Sequence, residues 1–160
     1  MTELFTYDEL IHFLLHAKRQ TQAMQRNEAS ITPLLPGSEQ REYREAPFFY
    51  RDIWFGTASF VGQETTYFRQ HPIWSMNYSG GITSEITNKE EMHQIYACLR
   101  QALQQVVYER PFRGPQTYYT GSYRYLDATQ GDLAQFRGEE IIMRGNKRVY
   151  ELHYSGCLLK

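Results

Sequence analysis

Glu64 and Glu140 are the side chains best placed to do chemistry, because each ends the same short pattern, F-x-G-x-E, at Phe60 to Glu64 and at Phe136 to Glu140. In an extended strand, residues of equal parity point to one side. Glu64 therefore shares a face with Phe60, Gly62, Thr66 and Phe68 and, across a hairpin, with Trp74, Met76 and Tyr78. Glu140 shares one with Phe136, Gly138, Ile142, Tyr150, Leu152 and Tyr154. A carboxylate on an apolar face is costly unless it gains a hydrogen-bond partner, a cation or a proton. Two readings follow. The glutamates organise a core by accepting from tyrosine hydroxyls or from Arg113 or Arg124, or they flank a pocket walled by Trp74, Tyr78, Tyr150 and Tyr154, with Arg113 in reach. Aromatic walls around a carboxylate suit a small aromatic or cationic ligand. A register error of one residue would turn both glutamates to solvent.

The match extends well past the two glutamates. Adding 76 to each position of Phe60 to Gly80 carries Phe60 to Phe136, Gly62 to Gly138, Glu64 to Glu140, Tyr78 to Tyr154, Ser79 to Ser155 and Gly80 to Gly156 without a gap. This reads as an internal duplication, with repeat one at about 6–81 and repeat two at about 87–157 of a single domain covering 1–160. Glycine within a strand marks a bulge or a close approach, so Gly62 and Gly138 mark one or the other.

The elements that must position these residues are legible from pattern. Thr6 and Glu9 form a capping box ahead of a helix from Tyr7 to Arg26 with Leu10, Phe13, Leu14 and Ala17 on one stripe. Thr87 and Glu90 have the same spacing ahead of a helix from Asn88 to Val107. Asn27 to Pro47 reads as a long loop, either a connector or a lid, in which Tyr43 begins a short strand. Strands are expected at Phe48 to Phe55, Ser59 to Phe68 and Pro72 to Tyr78, then at Gln116 to Ala128, Gln135 to Arg144 and Arg148 to Tyr154. The fold class is α+β: helix, loop and three strands, twice, with both helices on one face of an antiparallel sheet and a pseudo-twofold axis between the halves.

Composition removes several functions. The formal net charge of -1 has no run of one sign, which argues against nucleic acid as a partner. No apolar run approaches the roughly 18 residues of a membrane span, and the acidic start is unlike a signal peptide, so a soluble cytoplasmic protein is expected. Cys98 and Cys157 are too few for a disulfide framework or a zinc site. His12 and His16 stand four apart but lack a third ligand, so neither a metal nor a cofactor is expected. His71 falls in a turn, His93 on a polar helix side, and His153 on a strand near Tyr150 and Glu151. No nucleophile elbow or phosphate-cradling loop is present.

The runs PGS (Pro36 to Ser38), YRDIWFG (Tyr50 to Gly56), FVGQE (Phe60 to Glu64), PIWSMNYSG (Pro72 to Gly80) and FRGP (Phe112 to Pro115), with F-x-G-x-E at Phe136 to Glu140, resemble an uncharacterised bacterial domain-of-unknown-function family. In some chains that family follows an Xre-type helix-turn-helix region. The resemblance implies an association of some members with transcription regulation, where such a domain would sense a ligand or assemble subunits. This chain has no helix-turn-helix of its own. The plan is also similar to ligand-sensing tandem repeats of the GyrI-like type, with the elements permuted. The expectation is a small-molecule-binding domain; a module for structure or homodimer assembly, and an enzyme using a buried glutamate, are the competing classes.

Overall fold

A computed structural model describes residues 5–24 and 31–160. Helix α1 (Tyr7–Ala23) leads into strands β1 (Glu39–Glu45), β2 (Phe48–Gly56), β3 (Ser59–Phe68) and β4 (His71–Ile82). Helix α2 (Lys89–Gln104) leads into β5 (Thr117–Thr120), β6 (Tyr123–Asp132), β7 (Gln135–Arg144) and β8 (Lys147–Leu158). All eight strands form one antiparallel sheet in the order β1-β2-β3-β4-β8-β7-β6-β5.

Four strands follow each helix, where three were expected. The stretch read as a loop contains β1, whose charged EQREYRE sequence conceals a strand because it is an edge with few buried positions. The expected Gln116 to Ala128 strand is two, since Gly121 at φ 55° turns the chain between β5 and β6. The capping box of α1 is present, but its expected Arg26 end lies outside the described residues, as do the first four residues of the expected loop, 27–30. At α2 the cap is Asn88, one residue beyond Thr87, with Oδ1 accepting from the amides of Glu90 and Glu91.

The expected parity holds along the β3–β4 hairpin. Gly62, Glu64, Thr66 and Phe68 of β3 and Trp74, Met76 and Tyr78 of β4 are buried. The β3–β4 turn is the two residues Arg69 and Gln70, both at positive φ as a tight hairpin requires. The two halves meet where β4 pairs with β8, and there Tyr78 lies directly opposite Tyr154. α1 packs on β1 and β2, α2 on β5 and β6, and the helices touch each other. The core between helices and sheet centres on stacked rings: Phe112 lies 4.0 Å from Phe136, and Phe136 lies 5.7 Å from Trp74. Phe112 comes from the 109–115 connector, which is therefore drawn into the core and carries Arg113 with it.

Candidate functional site

Both glutamates lie on the buried face, and both are fully partnered. Glu140 receives two hydrogen bonds from Arg113, Nε to Oε2 at 3.0 Å and Nη2 to Oε1 at 2.7 Å. Tyr125 donates to Oε2 at 2.5 Å and Tyr150 to Oε1 at 2.7 Å. Glu64 is paired with Lys18 of α1, Nζ to Oε2 at 2.7 Å, and accepts the Tyr50 hydroxyl on Oε1. Lys18 also donates to the Phe112 carbonyl at 2.7 Å, so one ammonium ties α1, β3 and the connector together. Burial lowers the Lys18 pKa, and the Glu64 charge works against that shift. Burial, the largest single influence, opposes charge on Arg113, but Glu140 together with Tyr150 and Tyr125 more than offsets it and holds the guanidinium well above its ordinary range. Burial keeps the hydroxyls of Tyr50, Tyr125 and Tyr150 protonated, as donors to the carboxylates.

Two aspartates complete the network, and sequence reasoning missed both. Asp52 is the cross-strand neighbour of Glu64, and Asp127 that of Glu140. Each follows a buried tyrosine by two residues, in Tyr50-Arg51-Asp52 and Tyr125-Leu126-Asp127. That repeated Tyr-x-Asp is the signal that would have found them. It is hidden because the spacing there is 75, not 76: three residues separate the paired Gly56 and Phe60, four the paired Gly131 and Phe136. The Tyr78 hydroxyl donates to Asp52 Oδ1 at 2.6 Å, and the Tyr154 hydroxyl to Asp127 Oδ1 at 2.8 Å. Burial, reinforced by the facing glutamate, pushes each aspartate's pKa up to about 7.

The glycines prove to be close approaches, since the bulges lie elsewhere, at Thr66/Tyr67 and Ile142/Met143. The ring of Tyr78 lies over Gly62 and that of Tyr154 over Gly138, in space that a Cβ would occupy.

A cavity of about 340 Å³ opens beside Asp52, between the first four strands and α2. Trp54, Phe60, Tyr78 and Tyr96 are its aromatic walls, and Leu99 and Leu103 of α2 close it from above. Its polar lining is Asp52 with Arg41, Arg100, Arg113, His93 and Gln22. Of the residues singled out from sequence, Tyr78 and Arg113 line this cavity. Glu64, Glu140, Trp74, Tyr150 and Tyr154 do not; they lie in the core beneath or beside it. The volume suits a small organic molecule.

The Asp52 pKa has a direct consequence for stability. An ordinary aspartate titrates near 3.9, well below the folded-state value of about 7. Between these values the folded chain binds more protons than the unfolded one, so Asp52 makes stability fall as pH rises, until its own titration ends. The isosteric Asp52→Asn lacks this loss. Its stability relative to wild type should therefore rise by roughly 2–3 kcal/mol between pH 5 and pH 8, read from urea unfolding at both. A difference independent of pH would contradict the raised value.

Other candidates are ordinary surface groups. His153 pairs with Glu151 at 2.8 Å, and Arg148 reaches both Glu151 and Glu139, so the members of this exposed cluster bond one another. His12 bonds its own helix at the Asp8 carbonyl, and His16 faces Glu45 at 3.5 Å. Cys98 is buried, and its thiol is pushed up to about 11 by that burial.

Fold and site define a two-helix, eight-stranded α+β domain with a buried carboxylate network and an adjoining aromatic cavity. The chain belongs to a domain-of-unknown-function family, DUF5680, whose model matches residues 52–159. That span covers Asp52, both glutamates and the whole second half. Comparison with curated proteins and with solved structures gave no match. Among the described residues, no helix is long and apolar enough to cross a membrane.

Proposed function

We propose that this chain is a small-molecule-binding domain whose ligand occupies the cavity beside Asp52. The observation that carries the reading is a buried carboxylate lining an aromatic-walled space large enough for a small ligand. Asp52 touches the ligand in this reading, with Trp54, Phe60, Tyr78 and Tyr96 as walls. Glu64 and Glu140 act one layer back, holding Lys18, Arg113 and the tyrosines in place. We read the two halves as diverged copies, supported by the paired Tyr-x-Asp segments and by the rings of Tyr78 and Tyr154 over Gly62 and Gly138. In a regulatory setting such a domain would pass ligand occupancy to a DNA-binding partner, and the free edges β1 and β5 would be the natural contacts in a homodimer.

An enzyme is the second reading, favoured by the Asp52 pKa of about 7, which suits proton exchange with a substrate near neutrality.

A thermal-shift screen of metabolites against wild type and Asp52→Asn tests the binding reading. A ligand at a hundredfold excess over its Kd stabilises by about 2.7 kcal/mol, a Tm rise of roughly 5–10 °C for a domain of this size. The expected hits lose most of that rise in Asp52→Asn. Hits that stabilise both proteins equally would remove Asp52 from the site.

A further inference from the structure

The two aspartates occupy like places, but among the described residues only Asp127 is paired with a cation of the chain. Each stands across from a glutamate, follows by two residues a tyrosine that donates to that glutamate, and accepts a tyrosine hydroxyl on Oδ1. At Asp127 the second oxygen, Oδ2, accepts from Arg110 Nη2 at 2.8 Å. The same guanidinium nitrogen also reaches the Asp127 carbonyl at 2.8 Å and Thr129 Oγ1 at 3.0 Å. At Asp52 the cavity adjoins the carboxyl, and no described residue forms an ion pair of the Arg110 kind with it. Trp54, two residues beyond Asp52, stands where Thr129 stands beyond Asp127 and gives the cavity a wall.

Charge counting leads to the same place. The network holds four buried carboxylates, Asp52, Glu64, Asp127 and Glu140, and three cations pair with them: Lys18 with Glu64, Arg110 with Asp127 and Arg113 with Glu140. Among the described residues, the carboxylate without a paired cation is Asp52. Arg41 lies directly opposite it in the β1–β2 register, but the Arg41 guanidinium rests over the Trp54 ring at 5.1 Å.

Resting on the reading of the cavity as a binding site, we infer that its ligand is a planar cation of the amidinium or guanidinium class. Its N–H groups bond Asp52 as Arg110 bonds Asp127, and its apolar body lies between Trp54, Phe60 and Tyr96. The setting favours a flat, delocalised cation over an ammonium, since the neighbouring rings attract such a cation over their faces while one of its N–H groups bonds the carboxylate, as Arg110 Nη2 bonds Asp127 Oδ2. The opposite charge is the rival, because Arg41, Arg100 and Arg113 also line the cavity, the last of them paired with Glu140.

Benzamidine, benzamide and benzoate have nearly one shape and carry a positive, zero and negative charge, so they separate these cases. Titrations of wild type, Asp52→Asn and Arg41→Gln, followed by Trp fluorescence and by NMR shifts of cavity residues, should rank benzamidine at least tenfold tighter than benzamide, with benzoate weakest. Asp52→Asn should abolish the tenfold preference while keeping the fold. The wild-type ranking alone tests the inference if that variant fails to fold. Benzoate binding tightest and weakening in Arg41→Gln, or all three compounds binding alike, would overturn the cationic assignment and leave the cavity a binding site. Absence of any shift at millimolar concentrations of all three would overturn both.

Discussion

Replacing Glu140 by alanine is expected to lower the unfolding free energy by about 3–5 kcal/mol, the largest effect of any single change at the site. Glu140 is completely buried and accepts four hydrogen bonds. Its loss leaves the Arg113 guanidinium buried without a counter-charge and the hydroxyls of Tyr125 and Tyr150 without an acceptor, and stranded donors cost more than the bonds contributed. Arg113 is itself buried and is held in place by Phe112 beside it, which is stacked on Phe136 in the core. Urea unfolding of Glu140→Ala, Arg113→Met and the double variant supplies the measurement. The double variant should be more stable than Glu140→Ala, since removing both charges leaves no orphan. A cost below about 1 kcal/mol for Glu140→Ala would mean that the pair is not buried as described.

Gly62→Ala and Gly138→Ala should each cost about 2–4 kcal/mol, although a single methyl is normally a minor change in a strand. The new Cβ would overlap the ring of Tyr78 or Tyr154, and neither ring can move away freely. Tyr78 is held by its bond to Asp52 and lies beneath the Arg113 guanidinium, 5.4 Å from its ring centre. Tyr154 is held by Asp127 and Thr129. The two variants diverge in function: Gly62→Ala displaces a wall of the cavity and should also abolish ligand-induced stabilisation, whereas Gly138→Ala should leave it intact. Equal stability of wild type and both variants would place the rings elsewhere.

These effects explain why a glycine and a glutamate recur two residues apart. The glycine admits a tyrosine ring from the next strand, and that ring delivers a hydroxyl to the aspartate facing the glutamate. The pattern F-x-G-x-E is thus half of a motif whose other half, Tyr-x-Asp, lies on the neighbouring strand.

The sequence by itself determined what depends on neighbours along the chain. Hairpin parity follows from period-two alternation, and it put Glu64 and Glu140 on the aromatic face, where the structure has them. The α1 capping box and the turns at Arg69 and Gly145 are equally local. The α2 cap lies one residue on because Asn88 serves as well as threonine, and β1 is legible only from Tyr43 because an edge strand need not alternate in hydrophobicity. Tertiary structure alone decided the rest. Nothing near Glu64 in sequence points to Lys18, its partner 46 residues earlier, and nothing near Glu140 requires that Arg113 reach it from a turn-rich connector. Whether a buried carboxylate meets a chain cation or a cavity depends on how helix and connector settle over the sheet. Arg110 reaches Asp127, but among the described residues no equivalent guanidinium forms an ion pair with Asp52. That difference, with Trp54 standing in place of Thr129, leaves room for the cavity beside Asp52.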